Sequence, residues 1–360
     1  MRSVVSNFWR DFSINRKIPL LAVSMTLMAC TLVAVVAAGT SFHTTSSLLS
    51  GHLQYVANSK RDAIVAMLDT AKREIEALQT NPALQEAADT LDMGFAALPL
   101  DLRVEVDRAK RAGENLDALA RGPGEFYVNA LIQTESWLSR FAREHSYENI
   151  FIINTKGDVI YSTGRSPLGS PENYERLAVA LATVGASGGA STTEISAPTA
   201  EGPGGFFFAA PIASAAFSGE AAGVLIVEIS TRLFAGLLND PTGFGESGEA
   251  LLTASDGTQL SNSRFGALTE RTPLDADLLT GTVAFGHHRG TDVVGTAAPI
   301  EWSGKSWKLV AVESSSEVLS PALTMVLQIG GITFCDRARC PDALNSRFAI
   351  DFFADRPPCG

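Results

Sequence analysis

The sequence predicts an α+β protein, with a largely helical N-terminal part followed by two modules built on antiparallel sheets. Up to about residue 146, apolar residues recur every three or four positions, which is the period of an amphipathic helix. From residue 147 onward, short apolar runs alternate with Gly-containing polar turns, a pattern typical of β-hairpins. This hairpin pattern occurs twice, and two successive sheet modules are therefore predicted.

A transmembrane helix is predicted at residues 18–39, because these 22 positions carry no charged residue and a spanning helix needs roughly 20 apolar residues. Basic residues are concentrated before this segment, and the first Lys or Arg after it is Lys60. The positive-inside rule then puts residues 1–17 in the cytoplasm and the rest of the chain outside. A cleaved signal peptide is the alternative, but its apolar core is usually about 7–15 residues long, which favours a retained anchor.

A second uncharged segment, residues 318–335, is a marginal candidate for another transmembrane helix, because it is short and contains Pro321. The tail at residues 336–360 has neither helical nor strand periodicity, and we hypothesise that a shift of the reading frame produces it. Cys335 and Cys340 have no His or second Cys pair nearby, which argues against a metal site.

Residues 40–146 are predicted to form a helical stalk. One apolar stripe follows its first helix at steps of four and three residues: Ile64, Leu68, Ala71, Ile75 and Leu78. The stripe suggests pairing with the same helix of a second copy in a parallel homodimer. Asn81-Pro82 ends this helix, and further helices are expected at 83–97, 101–120 and 126–145.

The first sheet module is predicted at residues 147–239 and the second at residues 240–316. Each begins with a hairpin, IFIINTKGDVIYST in the first and ALLTASDGTQLSNS in the second, and each turn contains a glycine beside an aspartate. Further strands follow in both modules. Helices are expected at residues 171–184 and 231–239.

The stretch GFGESG at residues 243–248 has the G-x-G-x-x-G pattern of a dinucleotide-binding loop. Such a loop follows a strand and opens a helix, whereas here a predicted helix precedes the glycines and a predicted strand follows them. Glu246 and Glu249 would also repel a pyrophosphate. We therefore interpret the glycines as a turn that connects the two modules.

Composition and motifs argue against several other functions. The net charge of -11 disfavours nucleic acid as a partner, and the absence of cysteine between residues 31 and 334 leaves no thiolate metal site there. The GKS at 304–306 resembles the end of a phosphate-binding loop, but Pro299 stands where its first glycine belongs. His287 and His288 are adjacent on a predicted strand, so their rings point apart and are expected in solvent. No enzyme, metal or cofactor is predicted.

Four stretches resemble the extracytoplasmic double-Cache sensor region of bacterial methyl-accepting chemotaxis proteins. They are LQTNPALQEAAD at 78–89, YENIFIINTKGDVIYST at 147–163, GGFFFAAPIASAAFSGEAAGVLIVEIS at 204–230 and NDPTGFGESGEALLTASDGTQLSNSRF at 239–265. The last stretch is the most specific, since such receptors often carry a Gly-x-Gly-x-Ser/Thr-Gly-Glu run there.

The resemblance implies a sensor in the bacterial inner membrane, with residues 40–316 in the periplasm. The modules would be PAS-like Cache sheets, a membrane-distal one at 147–239 and a membrane-proximal one at 240–316, in a parallel homodimer. A small-molecule ligand would bind the distal module and shift the stalk helices.

The sequence departs from these receptors after residue 335, where they continue into a relay module and a long methylated coiled coil. Membrane adenylate or guanylate cyclases and histidine kinases use the same sensor. The sensor region of such an enzyme and an anchored binding protein without signalling output are therefore alternatives.

A ligand pocket is predicted in the distal module, with aromatic walls and arginines that could pair with a carboxylate. The candidate residues are Tyr161, Arg165, Tyr174, Arg176, Glu194, Phe206 and Phe208. Some double-Cache receptors bind amino acids through an Arg-x-Trp pair after the first hairpin. Here Arg165 is followed by Ser166 and Pro167, so amino-acid specificity is not supported.

Overall fold

The computed structural model describes residues 14–164, 166–170, 177–182, 189–198, 204–266, 273–320 and 324. Its helices α1 to α5 are Ile14–Gln79, Pro82–Ala97, Leu100–Ala112, Glu125–Glu144 and Ala235–Asn239. Residues 177–182 and 315–320 are also helical. The described residues divide into two units, one within residues 50–315 and one made of residues 14–49, 316–320 and 324. Helices and antiparallel sheets together confirm the predicted α+β class.

The apolar stripe of α1 lies in the core of the chain itself. Ile64, Leu68 and Ile75 are at most 1% exposed and pack in one cluster with side chains of α2, α4 and both sheets. A stripe that is already covered cannot pack against the same helix of a second copy. The homodimer pairing predicted from this stripe is therefore wrong.

The helix ends follow local sequence signals. The Asn81 side chain accepts a hydrogen bond from Ala83 N at 2.9 Å, and Pro82 takes the first position of α2, a combination that favours helix initiation. The helix predicted at residues 101–120 is shorter, because α3 ends where Gly113 adopts a left-handed φ of 71°.

Five antiparallel strands form sheet A, in the order β2-β1-β5-β4-β3. Strands β1 to β5 are Asn149–Asn154, Val159–Ser162, Ser191–Thr192, Gly205–Ala213 and Ala221–Ser230. The predicted hairpin is β1–β2. The strand expected at 192–196 is interrupted: β3 ends at Thr192, and an isolated bridge then joins Ser196 to Gly205. The central strand β5 places Ile226 opposite Phe151 on one side and Glu228 opposite Phe207 on the other.

Four antiparallel strands form sheet B, in the order β6-β9-β8-β7. Strands β6 to β9 are Glu249–Ala254, Ala284–His288, Thr291–Trp302 and Lys305–Ser314. The second predicted hairpin forms only in part, since after its Asp256-Gly257 turn an isolated bridge joins Thr253 to Gln259.

The connection between the sheets is held against α1. His52 Nε2 donates a hydrogen bond to the Gly243 carbonyl at 2.9 Å, and Lys60 Nζ donates to the carbonyls of Leu237 and Asp240 at 2.8 and 2.9 Å. Helix α5 precedes the glycines of GFGESG and β6 follows them, which is the order of a connection rather than a dinucleotide loop. Gly243 has a φ of 84°, and a Cβ there would lie 2.7 Å from Val56 Cγ2.

Among the residues that the structure describes, no helix is both long and apolar enough to cross a membrane. The predicted spans at 18–39 and 318–335 stay predictions, as do the module boundaries. The tail at 336–360 and the three C-terminal cysteines lie outside the described residues.

We expect Gly243→Ala to lower the free energy of unfolding by about 2–4 kcal/mol, since it adds backbone strain and overpacks Val56. Gly219→Ala is the matched control, because Gly219 has a similar φ of 90° with no atom within 4 Å of the added Cβ. The control is expected to lose only about 1 kcal/mol. Urea unfolding followed by circular dichroism measures both, and equal losses would contradict the close approach to α1.

Candidate functional site

The two faces of sheet A pack against different parts of the chain. The helix face packs with α1, α2 and α4 and carries Ile150, Ile152, Phe206 and Phe208. The outer face packs with the helical segment 177–182 and carries Phe151, Ile153, Phe207 and Ile226. Because successive side chains of a strand point to opposite sides, neighbouring phenylalanines of β4 serve different surfaces.

One end of the outer face is polar. Glu228 is 6% exposed and lies on the same side of β5 as Ile226. Its Oε2 accepts a hydrogen bond from Asn149 Nδ2 at 2.8 Å, while Ser166 Oγ donates to Asn149 Oδ1 at 3.4 Å. Small-molecule sites combine mostly apolar walls with a few placed polar groups, and this face has that composition.

Helix α3 fixes the segment that follows β2. Asp107 Oδ1 accepts a hydrogen bond from Leu168 N at 2.7 Å. Lys110 Nζ donates to the carbonyls of Ser162 and Gly164, the latter at 2.8 Å. Burial lowers the pKa of Lys110, although nearby carboxylates act in the opposite direction. These contacts hold Ser162, Gly164 and Leu168 in place beside the polar end of the outer face.

Three of the predicted site residues lie on the helix face. Tyr161, Phe206 and Phe208 are at most 2% exposed, and the Tyr161 hydroxyl donates to Glu135 Oε2 of α4 at 2.8 Å. The structure therefore places these aromatic rings in the core between the sheet and the helices. Arg165, Tyr174 and Arg176 lie outside the described residues.

Phe206 also takes part in an aromatic junction between the two sheets. Its ring centroid lies 6.0 Å from that of Trp302 and 6.3 Å from that of Trp307. Trp302 Nε1 donates a hydrogen bond to Asp69 Oδ1 of α1 at 2.9 Å. The junction thus joins β4 of sheet A, the β8–β9 pair of sheet B and the long helix.

Glu194, the remaining predicted residue, reaches sheet B from the segment after β3. Its carboxylate accepts a hydrogen bond from Trp307 Nε1 at 3.3 Å and pairs with Lys305 Nζ at 3.1 Å. The side chain is 65% exposed, so this ion pair adds little stability by itself. Its position makes it a second link between the sheets.

The residues of the outer face were not among the predicted ones. The run of three phenylalanines in GGFFFAAP gives no signal for which ring faces the helices, because all three are equally apolar. Glu228 did carry a signal, since it is the one charged residue in the apolar strand AAGVLIVEIS. A charge inside such a strand indicates a polar partner or a site.

A second polar cluster is buried at sheet B. Glu249 and His288 are 2% and 6% exposed, and His288 Nε2 lies 3.0 Å from Glu249 Oε1. Ser263 Oγ donates to the other carboxylate oxygen. The expectation that His288 is solvated is wrong, because the buried carboxylate gives its ring a partner. His287 is 59% exposed, so the two rings do point apart as predicted.

This cluster lacks the geometry of nucleophilic catalysis. The carboxylate of Glu249 stands between Ser263 and His288, so the imidazole has no contact with the hydroxyl whose proton it would accept. Within the described part of the chain, no three His, Cys, Asp or Glu side chains are grouped to hold a metal ion.

An open cleft of about 330 Å³ lies beside the break between α1 and α2. Its lining includes Gln79, Gln85, Ile212 and Glu220, and none of the predicted site residues. Gln79 Nε2 already donates to the carbonyl of Pro211 at 2.6 Å. The volume is at the lower limit for small-molecule pockets, which begin at about 300 Å³.

Comparison with known proteins adds a sequence relationship. No family model matches the chain. The curated "Probable chemoreceptor y4sI" of Sinorhizobium fredii is 32% identical over 323 residues, which cover 89% of this chain and 42% of that protein. The chain thus spans less than half the length of this relative. The predicted resemblance to chemoreceptors is confirmed.

Two solved structures are similar at a lower level. The ligand-binding domain of the Pseudomonas aeruginosa chemoreceptor PctC, in complex with GABA, is 14% identical with a TM-score of 0.45, covering 74% of this chain and 100% of that one. The corresponding domain of Campylobacter jejuni Tlp3, with L-norvaline, is 10% identical with a TM-score of 0.46, covering 76% and 94%. Both TM-scores are below 0.5, and this likeness assigns no function by itself.

Stability is expected to fall in acid through Glu249. Burial raises the pKa of this carboxyl, but hydrogen bonds from His288 and Ser263 and the charges of His288 and Arg289 outweigh burial and hold the pKa below its ordinary 4.5. A folded-state pKa that is lower than the unfolded one adds stability above about pH 4.5, and this stability is lost as pH falls through the folded value.

We expect Glu249→Gln to lower the free energy of unfolding by about 1–3 kcal/mol at pH 7. The difference from the unmodified chain should shrink as the pH falls below 4.5. Urea midpoints between neutral and acid pH measure it, with the exposed Glu220→Gln as control. A difference that stays constant with pH would exclude the ionised form of Glu249 as its source.

Proposed function

We propose that this chain is the small-molecule-sensing region of a membrane-anchored chemoreceptor, with both sheet modules outside the cytoplasm. The observation that carries the proposal is the 32% identity, over 89% of the chain, to a curated probable chemoreceptor. The chain covers 42% of that relative. We therefore also propose, and do not infer from the relative, what signal this chain passes on, what ligand it binds and what partners it has.

The proposed ligand site is the outer face of sheet A. Phe151 and Phe207 are each 1% exposed beneath the helical segment 177–182, so a ligand would reach this apolar wall only if the segment moved aside. The Asn149–Glu228 pair would offer polar groups at one end. A ligand with an apolar body and a polar head suits this combination. We propose that Arg165, Tyr174 and Arg176, which follow β2 in the sequence, supply further contacts. Tyr161, Phe206, Phe208 and Glu194 would hold the sheet in position.

The proposed anchor is the uncharged part of α1, residues 18–39. The apolar side chains of Met25, Met28, Leu32 and Val33 are 67–76% exposed, and an apolar surface of this kind needs a cover such as lipid. Basic residues before the segment favour the inner membrane with residues 40–316 in the periplasm. A parallel homodimer is supported by the resemblance alone.

The proposed route of the signal runs from sheet A to α1. The junction of Phe206, Trp302 and Trp307 contacts both sheets, and Asp69 connects it to the helix. A ligand that fits one arrangement of this junction better than another would shift the population of helix positions. Its effect cannot exceed its difference in affinity for the two arrangements.

The face of sheet A that binds ligand can be tested with two neighbouring substitutions. Phe207→Leu alters the outer face and Phe208→Leu the helix face, and both are expected to cost about 1–2 kcal/mol of stability. Only Phe207→Leu should weaken ligand binding, by about tenfold or about 1.4 kcal/mol. A thermal-shift screen of organic acids, amines and amino acids would find the ligand, and calorimetric titration would give the affinities.

Three results would count against this site. A flat screen would oppose the sensor function itself, whereas equal losses of affinity in both variants would indicate a general loss of folding. A loss confined to Phe208→Leu would place the ligand on the helix face.

The signal route predicts a fluorescence change on ligand binding, because Trp302 and Trp307 lie at the junction. The change should be lost when both tryptophans are replaced by Phe. It should be kept in Trp137→Phe, because the replaced indole belongs to α4 and not to the junction. Titration of each variant with the screened ligand measures it. Loss of the signal only in Trp137→Phe would contradict the route through the junction.

A further inference from the structure

Two arginines beside sheet B, Arg264 after β6 and Arg289 between β7 and β8, contact the same aromatic ring. The guanidinium carbon of Arg264 lies 4.6 Å from the ring centroid of Phe265, and that of Arg289 lies 5.2 Å from the same centroid. Phe265 is 47% exposed, so solvent reaches this arrangement. Cation–π attraction favours each stack, and it holds two like charges less than 10 Å apart in a chain with a net charge of -11.

The charge of Arg264 has no acidic partner among the described residues. Its Nη2 donates to the backbone carbonyls of Gly245 and Glu246, and its buried Nε has no hydrogen-bond partner there. A guanidinium has five N–H donors, and in the described part of the chain the contacts of Arg264 with carbonyls bring no compensating negative charge. Arg264 is therefore a cation beside an exposed ring, and some of its N–H groups have no hydrogen-bond partner among the described residues.

The charge of Arg289 is compensated only in part. Its Nη1 donates to Ser263 Oγ at 3.0 Å and lies 3.9 Å from Glu249 Oε1. That carboxylate is already hydrogen-bonded by His288 and Ser263, which divides its charge among several partners. Among the described residues, Glu249 is thus the one acid within ion-pair distance of either arginine, and it approaches only Arg289.

The backbone at Arg289 is unusual for this residue type. Arg289 and Gly290 form the two-residue turn between β7 and β8, with φ angles of 53° and 77°. Both angles are positive, as in a type I′ turn, where Asn-Gly is strongly preferred over Arg-Gly. A positive φ is uncommon for a residue with a long side chain, and in this turn the side chain of Arg289 reaches the ring of Phe265.

We propose that Arg264 and Arg289, held by Phe265, form a binding site for a small oxyanion, the carboxylate or phosphate group of a soluble molecule. The anion would accept hydrogen bonds from the free N–H groups of both guanidiniums and relieve their repulsion. Arg264 also donates hydrogen bonds to the carbonyls of Gly245 and Glu246. An anion bound to Arg264 would therefore affect the position of the connection between the two sheets. This site lies on sheet B and does not depend on the ligand site of sheet A.

Calorimetric titration of the purified full chain with inorganic phosphate and with succinate, at constant ionic strength set by sodium chloride, tests the site. We expect saturable binding that weakens at least tenfold in Arg264→Ala and in Arg289→Ala and is unchanged in the exposed Arg232→Ala. Preference for phosphate or for succinate identifies which oxyanion the pair takes. Circular dichroism of each variant in chloride alone verifies its fold.

The lysine variants keep the test decisive if an alanine variant does not fold. Arg264→Lys and Arg289→Lys retain the charge but lose the planar fork, so each is expected to bind several-fold more weakly. Wild-type affinity in folded Arg289→Ala, or in both lysine variants, overturns the proposal. No saturation of the unmodified chain by either anion overturns it as well, and leaves the proposed function on sheet A untouched.

Discussion

The buried stripe of α1 is the constraint on which both sheets depend. Ile64 to Leu78 belong to one cluster with side chains of both sheets, and Ala57, which precedes the stripe on the same helix, packs with Ala298 and Ala311 of sheet B. Each fully buried Leu or Ile stabilises the fold by about 1.5–3 kcal/mol. A shift of either sheet along the helix would expose part of this stripe, so both sheets have fixed positions on one element.

A buried cation ties the connection between the sheets to the same helix. Lys60 is 6% exposed, and its ammonium donates to two carbonyls at the end of α5, which the helix itself leaves unpaired. Burial lowers the pKa of Lys60, while the charge of Asp240 opposes that effect. Burying an ammonium without hydrogen-bond partners costs much free energy. Separating α1 from the end of α5 would remove these partners, so the two elements are expected to move together.

Local sequence signals predicted the helices and turns better than they predicted which residues pack against them. Asn81-Pro82, the Gly-containing hairpin turns and the helical periods of α2 and α4 act within a few residues, and the structure has each of them. The partner of the α1 stripe, the face taken by Phe207 and the burial of His288 depend on residues far along the chain. Glu249, for example, is 39 positions from the His288 that it binds. Periodicity shows that a face is apolar, but it does not show what covers it.

In the proposed sensor, strand β4 would connect ligand binding to the movement of α1 without a separate relay. Phe207 lies on the outer face opposite Glu228, and Phe206, the preceding residue, contacts Trp302 and Trp307. The strand is paired on both sides, with β5 and β3, so its backbone cannot tilt on one face without moving the other. In the proposed mechanism, a ligand that displaced Phe207 would therefore also displace Phe206 against the junction. The energy available for this step is the difference in ligand affinity between the two arrangements of β4.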